Sequence, residues 1–179
     1  MIKQFGEFRP VLAESAWVDE QALVVGQVVL GEGANIWPMA VLRGDVGKIT
    51  VGARSNIQDG AVVHVTHDGK YTPGGRDTVI GEDVTIGHSA VIHACTIHDQ
   101  VLIGMNATVL DGAVVESHVL VAAGALVAPG KRLQSGYLYA GNPARQIREL
   151  TAGEREFFAY SAKNYVELAA VYQAQTAPL

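Results

Sequence analysis

The stretch VTIGHSAVIHAC, residues 84–95, sets two imidazoles, His88 and His93, in a run that is otherwise apolar or small. Imidazole is suited at neutral pH to moving a proton or holding a transition metal. Five positions separate the pair, which puts them on different sides of a helix and on opposite faces of a flat strand. A third imidazole, His64, and the cation Arg43 lie upstream. What these groups do together depends on how the chain winds between them.

The winding is written in a repeat. A branched apolar residue recurs every six positions at Val18, Val24, Leu30, Ile36 and Leu42, and after a nine-residue step at Val51, Ile57 and Val63. A break covers HDGKYTPGGRDT, residues 67–78, and the beat resumes at Ile80, Ile86 and Ile92. A five-residue step then leads to Ile97, Ile103, Val109, Val115, Val121 and Val127. Four positions after a beat stands a small or branched residue, as at Ala22, Ala40, Ala61, Ala90 and Ala107. Such a period fits neither an amphipathic helix nor a simple hairpin. It fits short strands joined by tight corners, three sides to a coil, with coils stacked into a mainly β, parallel β-helix. Hexapeptide repeats of this kind resemble the left-handed parallel β-helix family. The left hand is taken from that resemblance, since it runs against the usual crossover rule. Residues 1–140 are expected to form this solenoid, with a loop extruded at 67–79. Residues 141–179 are expected to be a connecting loop, a C-terminal α-helix and a loose tail. Thr151 and Glu154 form a capping-box pair, and Phe158, Ala162, Tyr165, Leu168 and Tyr172 make the helical stripe.

Faces follow from the beat. With Val63 on face A, Leu42 and Ile92 share it, while Ile57 and Ile86 fall on face C and Val51, Ile80 and Ile97 on face B. Arg43, His64 and His93 each follow a face-A beat directly, so they should stack about one strand spacing, ~4.8 Å, apart. Asp59 and His88 each lie two after a face-C beat and should stack likewise, with Gln58 beside them. One chain therefore does not readily bring all three histidines to one point. Two chains do, if face A of one meets face C of the next, and three-fold closure of that contact gives a homotrimer. Three neutral imidazoles with an open fourth position make a catalytic zinc site, although imidazole also suits Fe2+ or Co2+. His98 and His118 fall away from the cluster. Cys95 follows His93 by two; a thiolate ligand and a buried thiol are the two readings.

At these residues the sequence resembles the γ-class carbonic anhydrase-like family. The carriers are RGD at 43–45, NIQDG at 56–60, His64, GHSAVIH at 87–93 and the less specific GNPAR at 141–145. The resemblance implies a homotrimer with zinc sites between subunits, His64 and His93 coming from one chain and His88 from its neighbour. It implies reversible hydration of CO2 to bicarbonate by a metal-bound hydroxide. Arg43 and Asp59 would pair across the interface, with Asp45 in the same network. Asn56 would orient Gln58, whose amide would hold the water or CO2. Tyr165 matches a site-lining tyrosine, with plain helix packing as its alternative role. Some members export the proton through acidic loop residues; here Val46 and His67 stand in those places. His67 could serve as the shuttle, or be an ordinary loop histidine. The same solenoid hosts CoA-thioester enzymes, acyltransferases and thioesterases, and a non-catalytic trimeric scaffold that keeps its metal is a third reading.

Composition narrows the partners. A net charge of −5 with no basic tract argues against nucleic acid. No run approaches the ~20 apolar residues of a membrane helix, and the first twenty residues lack a signal-like apolar run. The single cysteine excludes an internal disulfide, which suits the cytoplasm.

Overall fold

Residues 1–175 are described by a computed structural model of the chain. They form a parallel β-solenoid of about 8 turns closed by one C-terminal helix. The beat residues stack in three columns, as their spacing requires. On face A, Val24 pairs with Leu42, Leu42 with Val63, Val63 with Ile92, Ile92 with Val109 and Val109 with Val127. On face B the column runs through Leu30, Val51, Ile80, Ile97 and Val115 to Leu133. On face C it runs through Val18, Ile36, Ile57, Ile86, Ile103 and Val121 to Tyr139. These side chains fill the interior almost without exposure, and the alanines four positions on line it beside them.

Corners turn on single residues with positive φ, some glycine (Gly60, Gly112, Gly124) and some not (Arg54, Asp83, Ser89, Ala94, Asn106). Where coils approach most closely, only backbone fits. A Cβ at Gly52 would meet the carbonyl oxygen of Gly81 at 2.4 Å.

The nine-residue step is not a projecting loop. Strand Val41–Val51 runs through the corner from face A to face B beside Leu23–Leu30, and the register shift between Gly26 and Val28 absorbs the extra residues. Those residues include Asp45, which is thereby freed to reach sideways. The larger break does leave the solenoid. It lies between Val62–His64 and Thr78–Ile80, so Thr78 and Val79, placed in the loop by the repeat, are strand instead. Thr66 and Arg76 bridge at its base.

The segment from residue 141, expected to be a connecting loop, is turn as far as Ala144 and then strand. Tyr137–Ala140 adds a further rung to face C, and Arg145–Glu149 returns antiparallel beside it. Tyr139 stands six after Leu133, so the beat continues, with an aromatic in place of a branched aliphatic. The tail beyond residue 175 lies outside the described residues.

Helix Ala152–Ala174 starts at the expected capping box. It packs on face C, burying Phe158, Ser161, Ala162 and Ala169. The Ser161 and Thr85 hydroxyls are 2.9 Å apart. Trp37 meets Tyr165 edge-on at 5.3 Å and Tyr172 at 5.2 Å. Among the described residues, no helix is long and apolar enough to cross a membrane. At the helix start, Arg148 and the Thr151 backbone N–H hold the Glu154 carboxyl down at about 2. A depressed carboxylate pKa gives stability that is whole above its unfolded value, near 4.5, and is lost as pH falls toward 2. Acid titration followed by far-UV circular dichroism should therefore show Glu154→Gln with less helix than the parent at neutral pH, the difference closing below pH 3. A constant difference across that range would show that the charge is not what matters.

Candidate metal centre

Register delivers the stacked histidines. His93 pairs directly with His64 across the face-A ladder. Their rings lie 5.2 Å apart between centroids, and His64 Nδ1 is 3.2 Å from His93 Nε2. Each ring's other nitrogen meets a carboxylate: His64 Nε2 lies 3.0 Å from Asp45 Oδ1, and His93 Nδ1 lies 2.9 Å from Asp111 Oδ2. Arg43 donates to Asp45 at 2.5 Å, and the Thr66 hydroxyl donates to Asp111. Burial would raise the Asp45 carboxyl, but His64 and Arg43 outweigh it and hold it below its ordinary range. Asp111 is likewise held down against burial, by Thr66 and His93. Burial lowers the His64 pKa, with Asp45 opposing and Arg43 and His93 assisting.

Ionised carboxylates only accept, so both imidazoles donate their outer N–H to them. Their inner nitrogens then face one another as bare lone pairs. That arrangement could hold a cation between them. It also fits one: two nitrogens on a tetrahedral zinc, with bonds of ~2.0–2.1 Å, stand roughly 3.3 Å apart. A carboxylate behind each ligating imidazole is the usual support of such a site. Among the described residues of a single chain, no three His, Cys, Asp or Glu side chains gather as a metal group. His64 and His93 together could supply two nitrogens to an ion.

His88 lies on face C, where its Nδ1 is 2.8 Å from Asp59 Oδ2, so the predicted stack of these two is present. Asp59 is thus engaged by His88 within the chain, and Arg43 by Asp45. Gln58 is nearly buried beside them and donates from Nε2 to Asn56 Oδ1 at 3.0 Å. Asn56 in turn donates to Thr85 Oγ1 at 3.0 Å. This fixes the Gln58 amide and leaves its oxygen for the neighbouring cavity of about 190 Å³. That cavity is lined by Gln58, Thr85, His88, Met105, Ser161 and Tyr165. Tyr165 therefore packs against Trp37 and faces the cavity as well; burial pushes its hydroxyl pKa up. His67 is exposed on the extruded segment. His98 is exposed on face B, and the His118 ring lies near Phe158, both apart from the pair. Cys95 is a core residue whose thiol burial pushes up to about 12, which suits packing rather than a thiolate ligand. Asp111 was not singled out by the sequence; it stands one position beyond the slot that the repeat makes conspicuous.

The chain is 45% identical over 167 residues to protein YrdA of Escherichia coli, covering 93% of this chain and 91% of that protein. It is 49% identical over 171 residues to the mitochondrial gamma carbonic anhydrase 1 of Arabidopsis thaliana, covering 94% of this chain. The chain belongs to the γ-class carbonic anhydrase-like family. It spans 61% of the Arabidopsis relative's length. Membership places it among hexapeptide-repeat proteins: residues 94–129 match the family described as bacterial transferase hexapeptide (six repeats). A solved hexapeptide transferase family protein from Anaplasma phagocytophilum superposes with a TM-score of 0.88 at 41% identity, covering 96% of this chain and 97% of that one. The γ-class-like relatives and the transferase-named structure share one scaffold, so the site has to choose between chemistries.

Proposed function

We propose that the protein is a metal-dependent carbonic anhydrase that interconverts CO2 and bicarbonate, acting as a homotrimer with zinc, or Fe2+ or Co2+, between subunits. The observation that carries this reading is His64 Nδ1 facing His93 Nε2 at 3.2 Å, each ring anchored from behind by its own aspartate. His64 and His93 of one protomer would hold the ion together with His88 of the neighbour. When bound, a divalent ion would supply the nucleophile by acidifying water.

The remaining work falls to the chain. Asn56 fixes the Gln58 amide so that its oxygen would accept a hydrogen bond from water beside the ion and orient it. Tyr165 supplies a hydroxyl and apolar bulk on the same side, which narrows the space to a small substrate. Asp45 and Arg43 keep His64 aimed and balance charge. Arg43 would also reach the neighbour's Asp59, setting register more than adding stability. Hydration releases one proton per turnover, and His67, exposed on the extruded segment, would hand it to buffer.

A CoA-thioester reading draws on the transferase names of the hexapeptide relatives. An acyltransferase needs one general base and a pantetheine groove, and leaves the paired, carboxylate-anchored imidazoles without a task, whereas a thioesterase could use the same metal site. Stopped-flow CO2 hydration and acyl-CoA hydrolysis, both on zinc-loaded protein, separate the readings. The expected result is hydration that disappears on chelation and returns with zinc, with no thioester turnover. Zinc-dependent thioester cleavage without hydration would overturn the proposal. A zinc-bound trimer inert in both assays would make the metal structural.

A further inference from the structure

We infer that Asp111, braced by Thr66, is the residue that positions His93 for the metal by fixing which of its ring nitrogens carries the proton. The inference rests on the metal reading above and adds a residue outside the expected ligand and substrate set. Asp111 stands in the coil stacked on that of His93, two residues after Val109, which pairs with Ile92. Its two oxygens are both committed: Oδ2 to His93 Nδ1 at 2.9 Å and Oδ1 to the Thr66 hydroxyl at 2.5 Å. An acceptor-only group selects the tautomer with hydrogen on Nδ1 and leaves the Nε2 lone pair aimed at His64.

Thr66 is not free to wander. Its backbone N–H and C=O exchange hydrogen bonds with Arg76 across the base of the extruded segment, at 3.0 and 2.8 Å. At the other end of that segment, the Thr78 hydroxyl donates to the His64 carbonyl and accepts from the Ala94 N–H. Both ends of the excursion are therefore tied to the two histidine coils, and Asp111 is the tie that ends on an imidazole. The excursion acts as a brace for ligand geometry as well as a carrier of His67.

The test uses the full chain with metal removed, then zinc titrated against a chelating indicator, for the parent, Asp111→Asn and Thr66→Val. Asparagine keeps the volume but offers an amide donor toward Nδ1, which favours the wrong tautomer. Asp111→Asn is expected to weaken zinc binding by about 10–100-fold. Thr66→Val, which leaves the Asp111–His93 bond in place, should weaken it less. In metal-free protein, 15N NMR should report His93 with hydrogen on Nδ1 in the parent and displaced toward Nε2 in Asp111→Asn. A parent that binds zinc and an Asp111→Asn variant that binds it equally well would overturn the inference and leave the metal reading standing. An unchanged tautomer with a lowered metal-free melting temperature would make Asp111 a loop clamp and overturn it too. A parent that takes up no zinc would sink both, and the parent titration alone reveals that case.

Discussion

His93→Ala is expected to empty the site of most of its metal and to abolish metal-dependent CO2 hydration, while His98→Ala leaves both at parental levels. Loss of a group that merely orients a ligand already costs about 10–100-fold in affinity, so loss of the ligand itself should exceed ~100-fold. The substitution also removes the partner of His64 Nδ1 and strands Asp111, whose Oδ2 then faces the space left by the ring. Neither change disturbs the fold, because His93 is only partly buried at the surface of face A and its neighbour Ile92 stays in the core. His98 has the same residue type and follows a beat in the same way, but it stands on face B and is exposed. Metal content measured on dialysed protein, with oligomer mass as a control, decides the matter. Equal metal in the two variants would refute the assignment of faces.

Ile86→Ala is expected to destabilise the protein by about 3–4 kcal/mol, while Ile86→Val costs about 1 kcal/mol. Ile86 is fully buried between Ile57 below and Ile103 above, so truncation leaves a hole that rigid coils on both sides do not close. In a chain of this size about 3–4 kcal/mol corresponds to roughly a 10 °C fall in melting temperature. The coil that loses packing is the one that carries His88 two residues on, so metal affinity should fall with stability. Calorimetry on metal-free protein isolates the packing effect. A loss below about 1 kcal/mol would mean that the core collapses around the gap and is less rigid than its geometry indicates.

Much of this arrangement is legible in the sequence because a solenoid converts arithmetic into position. Once Val63 and Ile92 share a column, the residue after each must share one as well, so His64 and His93 meet. Asp59 and His88 follow by the same logic on face C. The arithmetic fails where the chain departs from it. Tyr139 keeps the spacing but not the residue type, and the antiparallel return of Arg145–Glu149 has no repeat to announce it. Asp45 reaches His64 only because a register shift between Gly26 and Val28 lets extra residues swing through the corner. Asp111 is a diagonal neighbour, and nothing in a column count reports how far a side chain leans. The bond between Asp59 and His88 shows a further limit: residue types name a partner, but which carboxylate oxygen serves which donor is a matter of local geometry.

The backward-running strand at the end of face C has a consequence for how the molecule behaves in crowded solution. A stack of parallel rungs ends on an open row of amides and carbonyls, which invites another molecule to continue it. Arg145–Glu149 reverses that polarity and bristles with exposed Arg145, Arg148 and Glu149. Such an ending offers an incoming rung the wrong direction and a charged border, so face C does not template a further parallel rung.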